Sequence, residues 1–128
     1  MEKEEIEKII KAGKILSEVK EFAKKAVKKD MLLLGLAESI EKKIVGMGAK
    51  PAFPVTFGIN DSTAHSTPSY NDNSKAEGLM KIDIGVQIEG YIADSAFTVD
   101  LENSIQNEKL IETAKNSLDK ALKIIKKG

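Results

Sequence analysis

The chain has 128 residues, the size of one ordinary domain, and 41% of them are hydrophobic, enough to build a real core. Twenty Lys balance twenty acidic residues with no Arg, which argues against a general nucleic-acid binder and leaves no guanidinium fork to clamp phosphate or carboxylate. The absence of Cys excludes disulfides and thiolate metal sites. No apolar run approaches the roughly 20 residues of a membrane span, and the charged start lacks the apolar core of a signal peptide, so a cytoplasmic location without membrane attachment is expected.

In chain order, residues 2–29 read as an amphipathic helix, with Ile15, Val19, Phe22 and Ala26 at helical spacing and Lys and Glu elsewhere. Asp30 is placed to cap a second helix running to Met47, whose apolar face is Leu33, Ala37, Ile40 and Ile44. Gly46 and Gly48 mark its end. Pro51 and Pro54 bracket an extended piece, and Val55 to Ile59 reads as a strand. Residues 60–78 are rich in Asn, Asp, Ser, Thr and Gly, a loop long enough to carry function. Leu79 to Ile88 and Tyr91 to Leu101 are two apolar, β-branched strands joined by Glu89-Gly90, which fits a two-residue hairpin turn. Residues 106–127 form a last amphipathic helix with Leu110, Ala114, Leu118, Ala121 and Ile125 as its stripe. Helices segregated from an antiparallel sheet predict an α+β fold in one domain over residues 1–128.

Two aspartates stand where strands disfavour them, because the side chain competes with the ladder for hydrogen bonds. A two-residue turn at Glu89-Gly90 pairs Gly85 with Asp94 and Asp83 with Ala96. Asp83 and Asp94 then share one face as diagonal neighbours, roughly 7–8 Å apart at the backbone. The small Gly85 and Ala96 opposite them leave open space between the carboxylates. A slip of one residue would send the two side chains to opposite faces. Hard carboxylate ligands suit a divalent metal, but two do not complete a site, and solvated strand residues account for them equally. His65, the only His, lies in the loop. It reads either as a solvated or capping residue or as a ligand, proton shuttle or substrate hydrogen-bond donor. Phe53 reads most simply as a core plug.

Several motifs resemble one family. Pro51-Ala52-Phe53-Pro54, Ile59-Asn60, His65-Ser66-Thr67-Pro68-Ser69-Tyr70-Asn71-Asp72, Lys81-Ile82-Asp83-Ile84-Gly85 and Ile92-Ala93-Asp94-Ser95-Ala96-Phe97-Thr98-Val99 follow in the order found in type II methionine aminopeptidases, the archaeal ones above all. The resemblance runs along essentially the whole chain. It implies half of a pita-bread (creatinase/aminopeptidase) fold, an antiparallel sheet with helices on one face. It also implies two divalent metal ions of the Co, Mn, Fe or Zn class, which activate a water to cut the first peptide bond of nascent proteins beginning with Met. Asp83 would chelate one metal and Asp94 bridge both. His65 would contact substrate and assist proton movement without ligating metal, and Phe53 would wall the methionine pocket.

The chain departs from the family in lacking the carboxy-terminal half, which carries the remaining ligands, one His and two Glu, and the general base. The resemblance therefore implies an incomplete metal site, weak metal binding and negligible peptidase activity until a separately supplied carboxy-terminal half, or a second copy of the chain, completes it. Asp30 is a smaller departure, standing where the family has Gly, with a changed helix entry as the expected result. Two alternatives remain: a non-catalytic pita-bread binding module, and a relative of prolidase or proline aminopeptidase, which shares the paired aspartates.

Overall fold

In the computed structural model, which describes residues 1–63 and 66–128, two helices pack on one face of an antiparallel sheet and a third follows the last strand. Helix α1 (Lys3–Ala26) begins where the Glu2 N–H donates to the Glu5 carboxylate at 2.8 Å, and it ends with Lys24 and Lys25 at the negative pole of its dipole. Its apolar positions recur every three or four residues, so Ala12, Ile15, Leu16, Val19 and Ala23 are buried together. Phe22 and Ala26, expected on that stripe, are partly buried at its margin.

Helix α2 (Leu33–Gly46) buries Leu33, Leu36, Ala37, Ile40 and Ile44, the expected face with Leu36 added. Its entry corrects the expectation for Asp30. The N-cap is Leu32, and Asp30 sits at φ +68°, in the left-handed region that favours glycine. The reason is a backbone pairing: Asp30 N–H donates to Ala76 O at 2.8 Å, Ala76 N–H to Met31 O at 2.8 Å and Leu33 N–H to Ser74 O at 2.9 Å. Main-chain groups of the loop thus satisfy donors that a capping side chain would otherwise serve.

The sheet is built around β3 (Leu79–Ile88), with β4 (Tyr91–Asp100) along the whole of one edge. The other edge is shared by β2 (Thr56–Ile59), opposite Met80 to Asp83, and β1 (Lys50–Pro51), opposite Val86 and Gln87. Alternation along β3 sends Met80, Ile82, Ile84, Val86 and Ile88 into the core beneath α1 and α2. Asp83, on the other parity, faces away from the helices. The hairpin turn is Glu89-Gly90, with φ +51° and +87°, the mirror-image turn whose twist matches that of the flanking strands. It fixes the expected register, Gly85 opposite Asp94 and Asp83 opposite Ala96.

Helix α3 (Ile105–Ile124) differs from the other two. Its start is well built: Asp100 accepts from the Ser104 N–H at 2.6 Å, the Glu102 N–H at 3.0 Å and the Asn107 amide at 3.1 Å. Ser104 accepts from the Asn107 N–H. None of its residues, all of them described, is buried.

Candidate functional site

The open face of the sheet, away from α1 and α2, collects the candidate residues Asp83 and Asp94. One row across it reads Thr56, Asp83, Ala96, from β2, β3 and β4. The next row places Asp94 beside Gly85. Asp83 and Asp94 are therefore diagonal neighbours on one face, separated by roughly 7–8 Å at the backbone. The Asp83 Oδ1 atom is buried, whereas Asp94 stands exposed at the edge strand.

The ground between them is occupied rather than open, contrary to the expectation from the small Gly85 and Ala96. A methyl group built on Gly85 would overlap the Phe53 ring. Glycine at this position is what lets that ring approach the strand so closely. Phe53, half-buried, is thus neither a core plug nor fully in solvent. It walls a cleft of about 300 Å³ together with Pro54, Thr56, Thr67, Asp83 and Asp94. A cleft with one aromatic wall, two hydroxyls and two carboxylates has the make-up of a small-ligand site.

Lys81 precedes Asp83 by two residues on the same face. Its ammonium donates to the carbonyl oxygens of Asn60 and Leu79. Burial pushes it below the usual lysine range, with Asp61 pulling the other way. Asn60 in turn accepts from the Leu79 N–H at 3.0 Å, so both ends of the loop over 60–78 are tied to the start of β3. His65 lies outside the described residues. Just beyond it, Ser66 accepts from the Phe57 N–H at 2.8 Å, and Thr67 reaches the cleft.

Sequence reasoning brought Asp83, Asp94 and Phe53 to notice but missed Thr56 and Thr67. Thr56 is found only once the β2–β3 register is known, since nothing in Pro54-Val55-Thr56-Phe57 marks it. Two carboxylates are hard oxygen donors suited to a divalent ion, so the donor type fits a metal. The donor number does not: among the described residues no three His, Cys, Asp or Glu side chains gather closely enough to hold an ion. Among those residues, too, no helix is long and apolar enough to cross a membrane.

Comparison with known proteins gives the family and the fold. Residues 7–128 match the model of metallopeptidase family M24. The methionine aminopeptidase of Methanothermus fervidus is 46% identical, over 96% of this chain and 72% of that protein. That of Pyrococcus abyssi is 44% identical, over 97% of this chain and 42% of its own length. Among solved structures, the methionine aminopeptidase of Thermotoga maritima superposes with a TM-score of 0.88 at 25% identity, covering 100% of this chain and 55% of that one. The prolidase from Pyrococcus furiosus, at TM-score 0.71 and 23% identity, shares the fold alone. The architecture is about half of a pita-bread fold. With the family model spanning nearly the whole chain, this protein belongs to metallopeptidase family M24.

Proposed function

We propose that this chain is the amino-terminal half of the catalytic domain of a methionine aminopeptidase, supplying part of a two-metal site and of the pocket for an amino-terminal Met. The observation that carries the reading is the placement of Asp83 and Asp94 on one open sheet face beside the cleft walled by Phe53. Asp83 and Asp94 would be this chain's share of the ligands to the divalent ions. A divalent ion in such a site supplies Lewis acidity and makes water a nucleophile near neutral pH. The ring of Phe53 and the methyl groups of Thr56 and Thr67 offer the Met side chain an apolar, adaptable surface. By the resemblance of its motif, His65 would contact substrate and assist proton movement.

The site is finished by a surface from outside these residues, a carboxy-terminal half or a second chain, which adds the missing ligands. The chain spans less than half the length of the Pyrococcus abyssi relative, in keeping with that division.

Calorimetric titration with Mn²⁺ or Co²⁺, followed by assay of a Met-Ala peptide, tests the proposal. The chain alone is expected to bind metal weakly and to release no Met. Mixed with the carboxy-terminal segment of a longer relative it is expected to release Met, and Asp83→Asn or Asp94→Asn is expected to abolish both metal binding and release. A mixture that stays inert with added metal, or that cuts only peptides with Pro second, overturns it.

A further inference from the structure

Between β1 and β2, four residues stand where the sheet has room for two. Pro51 is opposite Val86 and Thr56 opposite Asp83, so residues 52–55 span a stretch of β3 that holds only Ile84 and Gly85. The surplus leaves the ladder as an arch. It carries Phe53 and Pro54 to the open face, where the ring meets Gly85 and walls the cleft beside Asp83 and Asp94.

The two feet of the arch are held differently. At the first, the Ala52 N–H donates to the Gly85 carbonyl at 2.9 Å, a main-chain bond within the sheet. At the second, the Val55 N–H donates to a side chain, the Glu41 carboxylate, at 3.1 Å. Glu41 belongs to α2, next to the buried Ile40, and is itself half-buried. Val55 is 1% exposed, so water is poorly placed to replace that acceptor. A buried N–H left without an acceptor is costly, and a carboxylate makes a stronger bond than a neutral oxygen. Glu41 thus stands with the helices on one side of the sheet and holds a segment whose ring lies on the other.

We infer that Glu41 is a positioning residue for the cleft. By holding the Val55 N–H it fixes the arch, and through the arch it fixes where the Phe53 ring stands and how wide the cleft is. Without that bond the arch is held only at Ala52 and from Thr56 onward, and the ring gains freedom to swing off Gly85. That the ring receives a Met side chain rests on the hydrolase reading above; its placement by Glu41 does not.

NMR of the full chain, with neither metal nor peptide present, tests the inference, so it and the hydrolase reading can fail separately. The unaltered chain is expected to show a nuclear Overhauser contact between the Phe53 ring protons and the Gly85 α-protons. Glu41→Ala, and Glu41→Asp with one methylene less of reach, are expected to lose that contact. Both are also expected to speed exchange of the Val55 amide by about tenfold or more. Glu41→Gln keeps an oxygen acceptor at the same reach and is expected to preserve both signals. Val19→Ala is the control, because it opens the core beneath α1 and lowers stability but should leave the ring on Gly85. If Glu41→Ala does not fold, Glu41→Asp decides, since it keeps the charge. A ring contact that survives in Glu41→Asp overturns the inference. So does its loss in Glu41→Gln, or an equal loss in Val19→Ala.

Discussion

Helices α1 and α3 are both amphipathic and rich in Lys, yet α1 buries Ala12, Ile15, Leu16, Val19 and Ala23 against the sheet while α3 buries no residue. The difference lies in what the chain offers each of them. Strand β3 presents Met80, Ile82, Ile84 and Val86 to the helix-covered face, and α1 and α2 use that surface fully. α3 leaves the sheet at the end of β4, after a capped turn, with no second apolar face in the described residues to receive it. Periodicity in a sequence reports that a helix is made to be covered. It does not report what covers it.

Substitutions can break this contrast or sharpen it. The largest effect is expected at Leu16, which is 5% exposed: Leu16→Ala should cost about 2–5 kcal/mol in chemical denaturation, by lost transfer energy and the cavity left behind. A cost below about 0.5 kcal/mol, the range of surface changes, would mean that α1 is no better packed than α3. Next comes the open face of the sheet, where Phe53 lies closely against Gly85. Gly85→Ala is expected to cost about 1–3 kcal/mol by displacing the ring, and to move the Phe53 ring resonances in NMR spectra.

A smaller effect follows from acid. Burial pushes the Asp100 carboxyl upward, but the Glu102 N–H, the Asn107 amide and the Ser104 N–H together outweigh it and leave the group below the usual carboxylate range. A carboxylate lowered by folding stabilises at pH above its unfolded value, and that support disappears as pH falls through the lower folded value. The start of α3 is therefore expected to fray below about pH 4 while the core persists, read as early loss of amide protection in residues 104–108. Smaller again is Asp30→Gly, expected to raise stability by at most about 1 kcal/mol, because Asp30 holds a left-handed φ of +68°. The smallest effect belongs to Leu118→Ala, expected to stay within about 0.5 kcal/mol in dilute solution. A larger loss there would show that α3 has found a partner even when dilute.

Much of the site was legible in the sequence because it sits on a hairpin. The strand period and the two-residue turn determine which side chains face together, so Asp83 and Asp94 could be paired from Glu89-Gly90 alone. Thr56 was not legible, because its position opposite Asp83 depends on pairing between strands separated by a long loop. The packing of Phe53 on Gly85 was likewise hidden. A small residue in a strand reads as space, and only the return of residues 51–54 across the sheet fills it. Asp30 misled because a side chain able to cap a helix competes with main-chain donors and acceptors that the sequence does not display. Here the carbonyls of Ser74 and Ala76 take that role.

The position of β3 at the centre of the sheet gives the two carboxylates backbones of unequal stiffness. Asp83 rides on a strand flanked on both sides, by Thr56 and Ala96, whereas the ladder holds Asp94 on one side only. Deuterium should therefore replace the amide hydrogens around Asp94 well before those around Asp83. If the proposed ion binds there, it would meet one stiffly held carboxylate and one on a looser strand.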